Sequence, residues 1–168
     1  MGSVSGSAGA DTDTGTEFSE RERASMKERA SELKKQGRRS RAADKAGQDL
    51  ADVLAKIAQM PDADRALAQR VHEVVTAAAP DLAPKLYYGQ PGYAREGKIV
   101  CFFRSGQVDG LRYSTFGFSP QADLDEARGL WATSYAVTNQ ADDEALRRIA
   151  ELVEKATGET APTSRAGD

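Results

Sequence analysis

Cysteine and histidine are almost absent from this chain: one of each, Cys101 and His72, in 168 residues. A lone cysteine forms no internal disulfide, so nothing here marks an oxidising compartment. One Cys and one His cannot complete a four-ligand zinc site. No apolar run approaches the length of a membrane span. The N-terminus lacks the basic-then-apolar pattern of a secretory signal. Gly6 stands where a myristoylation signal needs Ser or Thr. Also missing are a dinucleotide fingerprint, a phosphate-cradling glycine loop, a Gly-x-Ser-x-Gly elbow and a His-Glu-x-x-His pair. The expectation is a soluble, cytoplasmic, non-enzymatic protein with no membrane partner.

Hydrophobic residues make up 39% of the chain and the net charge is -3. The charge is uneven. Between Glu20 and Lys45 ten Lys/Arg face five Asp/Glu, whereas the first seventeen residues carry three acids and no cation. Residues 1–17 and 158–168 are rich in Gly, Ser, Thr, Ala and Asp, and offer too little apolar surface to offset the entropy of ordering. Both ends are therefore expected to be disordered tails. Residues 18–45 read as a basic helical extension, and residues 46–157 as the folded domain.

A helix is expected from Ser19, with a Ser19–Glu22 capping box stapled by Phe18, to about Gln36. Met26, Ala30 and Leu33 give it a thin apolar stripe. "GRRSR", from Gly37 to Arg41, should interrupt it. A second helix, Ala42 to about Gln59, has a fuller face of Ala46, Leu50, Val53, Leu54 and Ile57. Pro61 then breaks the pattern, and Asp62 is placed to cap a third helix lined by Leu67, Val71, Val74, Val75 and Ala78.

From Lys85 the period shortens to that of a strand. Leu86–Tyr88 is a short strand, and Gln90-Pro91-Gly92-Tyr93 suits a type II turn. "AREGK" reads as a hairpin turn with Gly97 left-handed. Ile99–Arg104 is apolar on both sides, which suits a central strand. Leu111–Phe118 is a further strand, Leu124–Leu130 a short helix, and Tyr135–Thr138 an edge strand. Asn139 is placed to cap a last helix carrying Leu146, Ile149, Leu152 and Val153, with Gly158 as its stop. The fold expected is α+β and two-layered: an antiparallel sheet of about four strands packed by helices, with an N-terminal helical extension.

Three groups of residues could carry function. Tyr87, Tyr88, Gln90, Tyr93 and Trp131 could ring a shallow pocket for a small molecule or a protein partner, because tyrosine buries area while its hydroxyl still bonds. The plainer alternative is that Pro91 and Gly92 make a turn and the tyrosines pack the sheet. Asp123, Asp125 and Glu126 could hold iron weakly through oxygen ligands, or could simply favour the positive end of a helix dipole. Lys34, Lys35, Arg38, Arg39 and Arg41 could contact nucleic-acid phosphates, or could solvate a helix face. A Cys101–His72 dyad has no orienting third group, and core packing is the ordinary role of a free thiol in an apolar strand.

The segments "MPDADRALAQRVHEVVTAAAPDLAPK", "YYGQPGYAREGKIVCFF" and "LRYSTFGFS" together resemble the YdhG-like family of small bacterial domains of unknown function. The marker is Tyr88-Gly89-Gln90-Pro91-Gly92-Tyr93, and the resemblance spans about Asp52 to Ala156. The stretch "FSERERASMKERASELKK" is similar to an extension on an actinobacterial branch. The resemblance implies a compact α+β domain with an antiparallel sheet. One branch of that family is described as a frataxin-like intracellular iron chaperone, which implies iron as a possible cargo.

Overall fold

The computed structural model describes residues 20–158. The capping box and staple expected at Phe18 and Ser19, and the tails 1–17 and 159–168, lie outside the described residues. The chain divides into two units, one ending at Arg41 and the other beginning at Ala42.

The first helix, α1, runs Glu20–Ala58 without a break. The interruption expected at Gly37–Arg41 does not occur. Glycine costs about 1 kcal/mol relative to alanine within a helix, and the Lys, Gln and Arg around it are good helix formers, so one glycine does not end the element. Arg41 Nε donates to Gly37 O at 3.2 Å across that turn. In the first unit nearly every helical side chain is exposed, Met26 and Leu33 included.

In the second unit the end of α1 contributes Val53 and Ile57 to the core. Helix α2, Asp62–Ala78, follows, but Asp62 is its first helical residue and does not cap it. Pro61 occupies the capping position with φ -56°, and no side chain bonds the end. Proline fits there because a capping residue is extended, here with ψ 153°, and proline's fixed φ suits that backbone. Asp62 Oδ1 instead accepts from Arg65 Nη2 at 2.7 Å.

Five strands form one antiparallel sheet in sequential order: β1 Ala83–Tyr87, β2 Gln90–Arg95, β3 Lys98–Arg104, β4 Ser114–Phe118 and β5 Ser134–Val137. The first turn is not where the Pro-Gly pair suggested. Tyr88 and Gly89 both take positive φ, 47° and 74°, and Tyr87 pairs with Gln90 across them. That is a two-residue turn with two left-handed positions, whose twist matches that of the strands it joins. Pro91 and Gly92 are thereby drawn into β2. Pro91 lies one step outside the β2–β3 pairs, which begin at Gly92, so its missing N–H interrupts no pair there. Gly92 is required by close approach: a Cβ there would lie 2.8 Å from Lys85 O and from Tyr87 Cβ. The second turn repeats the first, with Glu96 and Gly97 at φ 51° and 78°.

Strand β3 is the middle strand, as its two apolar faces implied. The register shifts between Tyr93 and Ala94, whose partners are Cys101 and Ile99. Val100 is thus the extra residue of a bulge, and Val100 and Cys101 are both buried despite being neighbours. Tyr93, Cys101, Phe103, Phe116, Phe118 and Val137 join Leu67, Val71 and Val75 of α2 in one core. Helix α3, Asp143–Thr157, adds Leu146, Ile149, Leu152 and Val153. Asp142, not Asn139, caps it: Ala145 N donates to Asp142 Oδ1 at 2.9 Å. Gly158 ends it at φ 74°. Leu111–Tyr113 precede β4 rather than belonging to it, beyond a 3₁₀ turn at Gln107–Asp109.

Candidate functional site

The five residues expected to ring one pocket are dispersed, because antiparallel register sends alternate residues to opposite faces. Tyr93 is fully buried on the helix side of the sheet. Its hydroxyl lies 2.9 Å from His72 Nδ1, with the two rings 5.7 Å apart. Gln90 is also buried, and its Oε1 accepts from Ser105 N at 3.3 Å. Tyr87 and Tyr88 do stay together. Their rings meet edge to face at 4.6 Å, and Tyr87 lies 5.2 Å from Phe102. That small aromatic patch sits on the other face of the sheet, with Phe102 packed where a side chain on Gly117 would otherwise stand. Trp131 belongs to neither group.

His72 and Cys101 form no dyad. The Nδ1 of His72 is engaged by Tyr93, and burial lowers the imidazole below its ordinary range. Burial pushes the Cys101 thiol up to about 12. It also holds the Tyr93 phenol protonated far above its ordinary range, with the neighbouring Cys101 adding to the effect. A buried neutral thiol is a packing residue at physiological pH, not a nucleophile.

The acidic trio does not converge either. Among the described residues no group of three His, Cys, Asp or Glu side chains is placed to hold a metal ion. Glu126 is paired with Lys155. The helix expected over Leu124–Leu130 is absent, and Gly129 there sits at φ 72°. Leu124 and Leu130 part company: the first is buried and the second is 83% exposed.

That missing helix leaves a stretch, residues 119–133, with no regular structure between β4 and β5. It is nonetheless tied down. Phe118 N donates to Thr133 O at 2.8 Å, closing its two ends together. Ser119 N donates to Val100 O at 2.9 Å, and Ser119 Oγ donates to Ile99 O. Asp123 N donates to Ala156 O at 3.0 Å, fixing the middle of the loop on α3. Ala122 and Leu124 are buried beneath it. Loops of this length without secondary structure are uncommon in compact domains and are usually functional or disordered. Hydrogen bonds at both ends and the middle fit the first case.

The loop holds up Trp131, 38% exposed, between two clefts. One, of about 330 Å³, is walled by Leu130, Tyr135 and Leu152, with Arg148, Glu151 and the Glu126–Lys155 pair at its polar side. The other, of about 470 Å³, is walled by Phe118, Pro120 and Ala122. Leu124 and Trp131 line both. Volumes of this order suit small molecules. An indole edge shared by two clefts can be stacked on from either side while its N–H remains a donor.

A separate polar cluster was invisible in the sequence. Asp64, in the first turn of α2, accepts from Ser105 Oγ and, at 3.3 Å, from Gln107 N. Gly106 N donates to Ser114 Oγ at 3.0 Å. A side chain at Gly106 would strike the Tyr113 carbonyl at 2.0 Å. The Asp64 bonds clasp the start of α2 to the β3–β4 connection, and the Gln90–Ser105 bond ties the same connection to β2. No spacing rule links Asp64 to Ser105; only the sheet brings them together. Comparison with protein-family models, with curated proteins and with solved structures finds no match to this chain.

Proposed function

We propose that the domain formed by the second unit is a cytoplasmic binding module, not an enzyme, that takes a small planar organic ligand against Trp131. The observation that carries this reading is the anchored loop 119–133, which is pinned by the buried Ala122 and Leu124 and presents the partly exposed Trp131, beside the exposed Leu130, between two clefts. Rigid presentation favours binding, because a ligand then bears less of the cost of ordering the site. Arg148 and Lys155 beside the smaller cleft favour a ligand that carries an acidic or polar group next to its apolar face. The free, buried thiol of Cys101 accords with a reducing compartment. The turn motif behind the resemblance to the YdhG-like family serves strand geometry, so the proposal rests on the loop and not on that motif.

Trp131 is the only tryptophan in the chain, so its emission reports on the site alone. The probe is 8-anilinonaphthalene-1-sulfonate, which has fused rings and a sulfonate. Titrated into the native protein, it is expected to quench Trp131 by energy transfer with one-to-one stoichiometry. Trp131→Ala should weaken binding, read from the dye's own emission, by about tenfold or more, the worth of one aromatic contact of this kind. Tyr88→Ala should leave it unchanged. Equal affinity in wild type and Trp131→Ala, or no binding to the native state, would refute the assignment.

A further inference from the structure

Helical continuity through Gly37 changes which cations of the first unit stand together. An α-helix advances about 100° per residue. Arg23, Lys27, Lys34, Arg38 and Arg41 follow one another at steps of four, seven, four and three residues. All five therefore fall within an arc of about 60° along one side of α1. The row is about 27 Å long at 1.5 Å per residue. The acids between its ends, Glu28 and Glu32, lie outside that arc. None of the five is in an ion pair among the described residues, and all are exposed. Two cations expected to act with Lys34, Arg38 and Arg41, namely Lys35 and Arg39, are turned off the row toward the side that holds Glu28 and Glu32. Had the helix broken at Gly37, the phase between Lys34 and Arg38 would have been lost and no row would exist.

We infer that this row is a docking surface for the phosphodiester backbone of a nucleic-acid duplex, bound without regard to sequence. Charge complementarity selects the partner. Five cations in line, with no interleaved acid, match a linear array of phosphates, and each neutralised phosphate releases condensed counterions. The neighbouring apolar stripe has only two large side chains, Met26 and Leu33, each 57% exposed. That is too little apolar surface, and too poor in aromatics, for insertion into a bilayer or for the core of a protein interface. The first unit's described helix holds no Phe, Tyr or Trp to stack on unpaired bases, which favours a duplex over a single strand.

The test uses the full chain and arbitrary 20-bp DNA and RNA duplexes, with affinity read by fluorescence anisotropy across a salt series. For five phosphate contacts the slope of log K against log[salt] should be about -4.5, or roughly a 500-fold loss between 50 and 200 mM salt. Two variants each remove four charges. Lys27→Gln with Lys34→Gln, Arg38→Gln and Arg41→Gln strips the row of all but Arg23. Arg21→Gln with Arg29→Gln, Lys35→Gln and Arg39→Gln spares it. Glutamine is a good helix former, and circular dichroism checks that helicity is kept. The first set should flatten the slope to about -1 and the second should leave it near the wild-type value. Whichever duplex binds in this way identifies the nucleic acid. Equal effects of the two sets would mean that net charge alone acts, and would overturn the proposal. So would a wild-type slope near zero, or tighter binding to phosphatidylserine vesicles than to either duplex.

Discussion

Two parts of this molecule, the hairpin of β1 and β2 and the loop 119–133, use aromatic side chains in opposite ways. In the hairpin of β1 and β2, Tyr93 is sealed in the core and Tyr87 is laid over Phe102. In the loop 119–133 a single Trp131 is kept partly exposed by backbone bonds that order the segment without covering the ring. Aromatic density along the chain pointed to the hairpin. Availability in space belongs to the loop. A tyrosine in a paired strand has its direction set by register, and half of such residues face the core. A tryptophan in a pinned loop is free of that constraint.

The contrast can be broken most forcefully at Tyr93. Tyr93→Ala should cost about 3–5 kcal/mol in urea unfolding, through an unfilled core volume and a His72 nitrogen left without its partner. The same substitution at Trp131 should cost less, about 2 kcal/mol, for a ring that keeps 38% of its surface exposed. Comparable losses at the two positions would erase the distinction. A smaller effect is expected at Gly92. Gly92→Ala should destabilise by about 1–3 kcal/mol, because the new methyl meets the Lys85 carbonyl and not a side chain that can swing away. A neutral result would mean that β1 and β2 can separate at that pair.

The mildest test is one of pH. The folded protein holds His72 below its ordinary range, so below about pH 6.5 the unfolded chain takes up a proton that the folded one resists. The contribution of this histidine is therefore complete above that pH and declines as pH falls through it toward the lower folded value. The urea midpoint should drop more between pH 7.5 and 5.5 in wild type than in His72→Gln. Identical drops would mean that His72 titrates alike in the folded and unfolded chain and adds nothing to the pH dependence of stability.

Element types were largely legible, because periods of 3.6 and 2 are properties of local sequence. The apolar positions of α2 and α3, the central place of β3 and the stop at Gly158 all follow from spacing. What misled was local chemistry with two possible outlets. Pro91-Gly92 suits a turn, yet Tyr88-Gly89 supplies a tighter one that matches the strand twist. Gly37 suits a helix break, yet its flanks carry the helix through. Asp62 and Asn139 suit caps, yet Pro61 and Asp142 occupy those positions. Leu124 and Leu130 suit a helical face, yet one is buried and the other exposed. Of the candidate ligand residues only Trp131 lines the clefts, and nothing in its neighbourhood announced it beyond its being the sole tryptophan.

Sequence alone determined that this chain would build an α+β domain behind a basic helix, because apolar periodicity and charge are written residue by residue. Tertiary structure decided which side chains stay available. Register buried Tyr93, a bulge turned Val100 inward, and an unbroken helix gathered five cations into a line. Each outcome depends on what lies across a strand pair or several turns along a rod, and such neighbours are fixed only once the whole chain has packed.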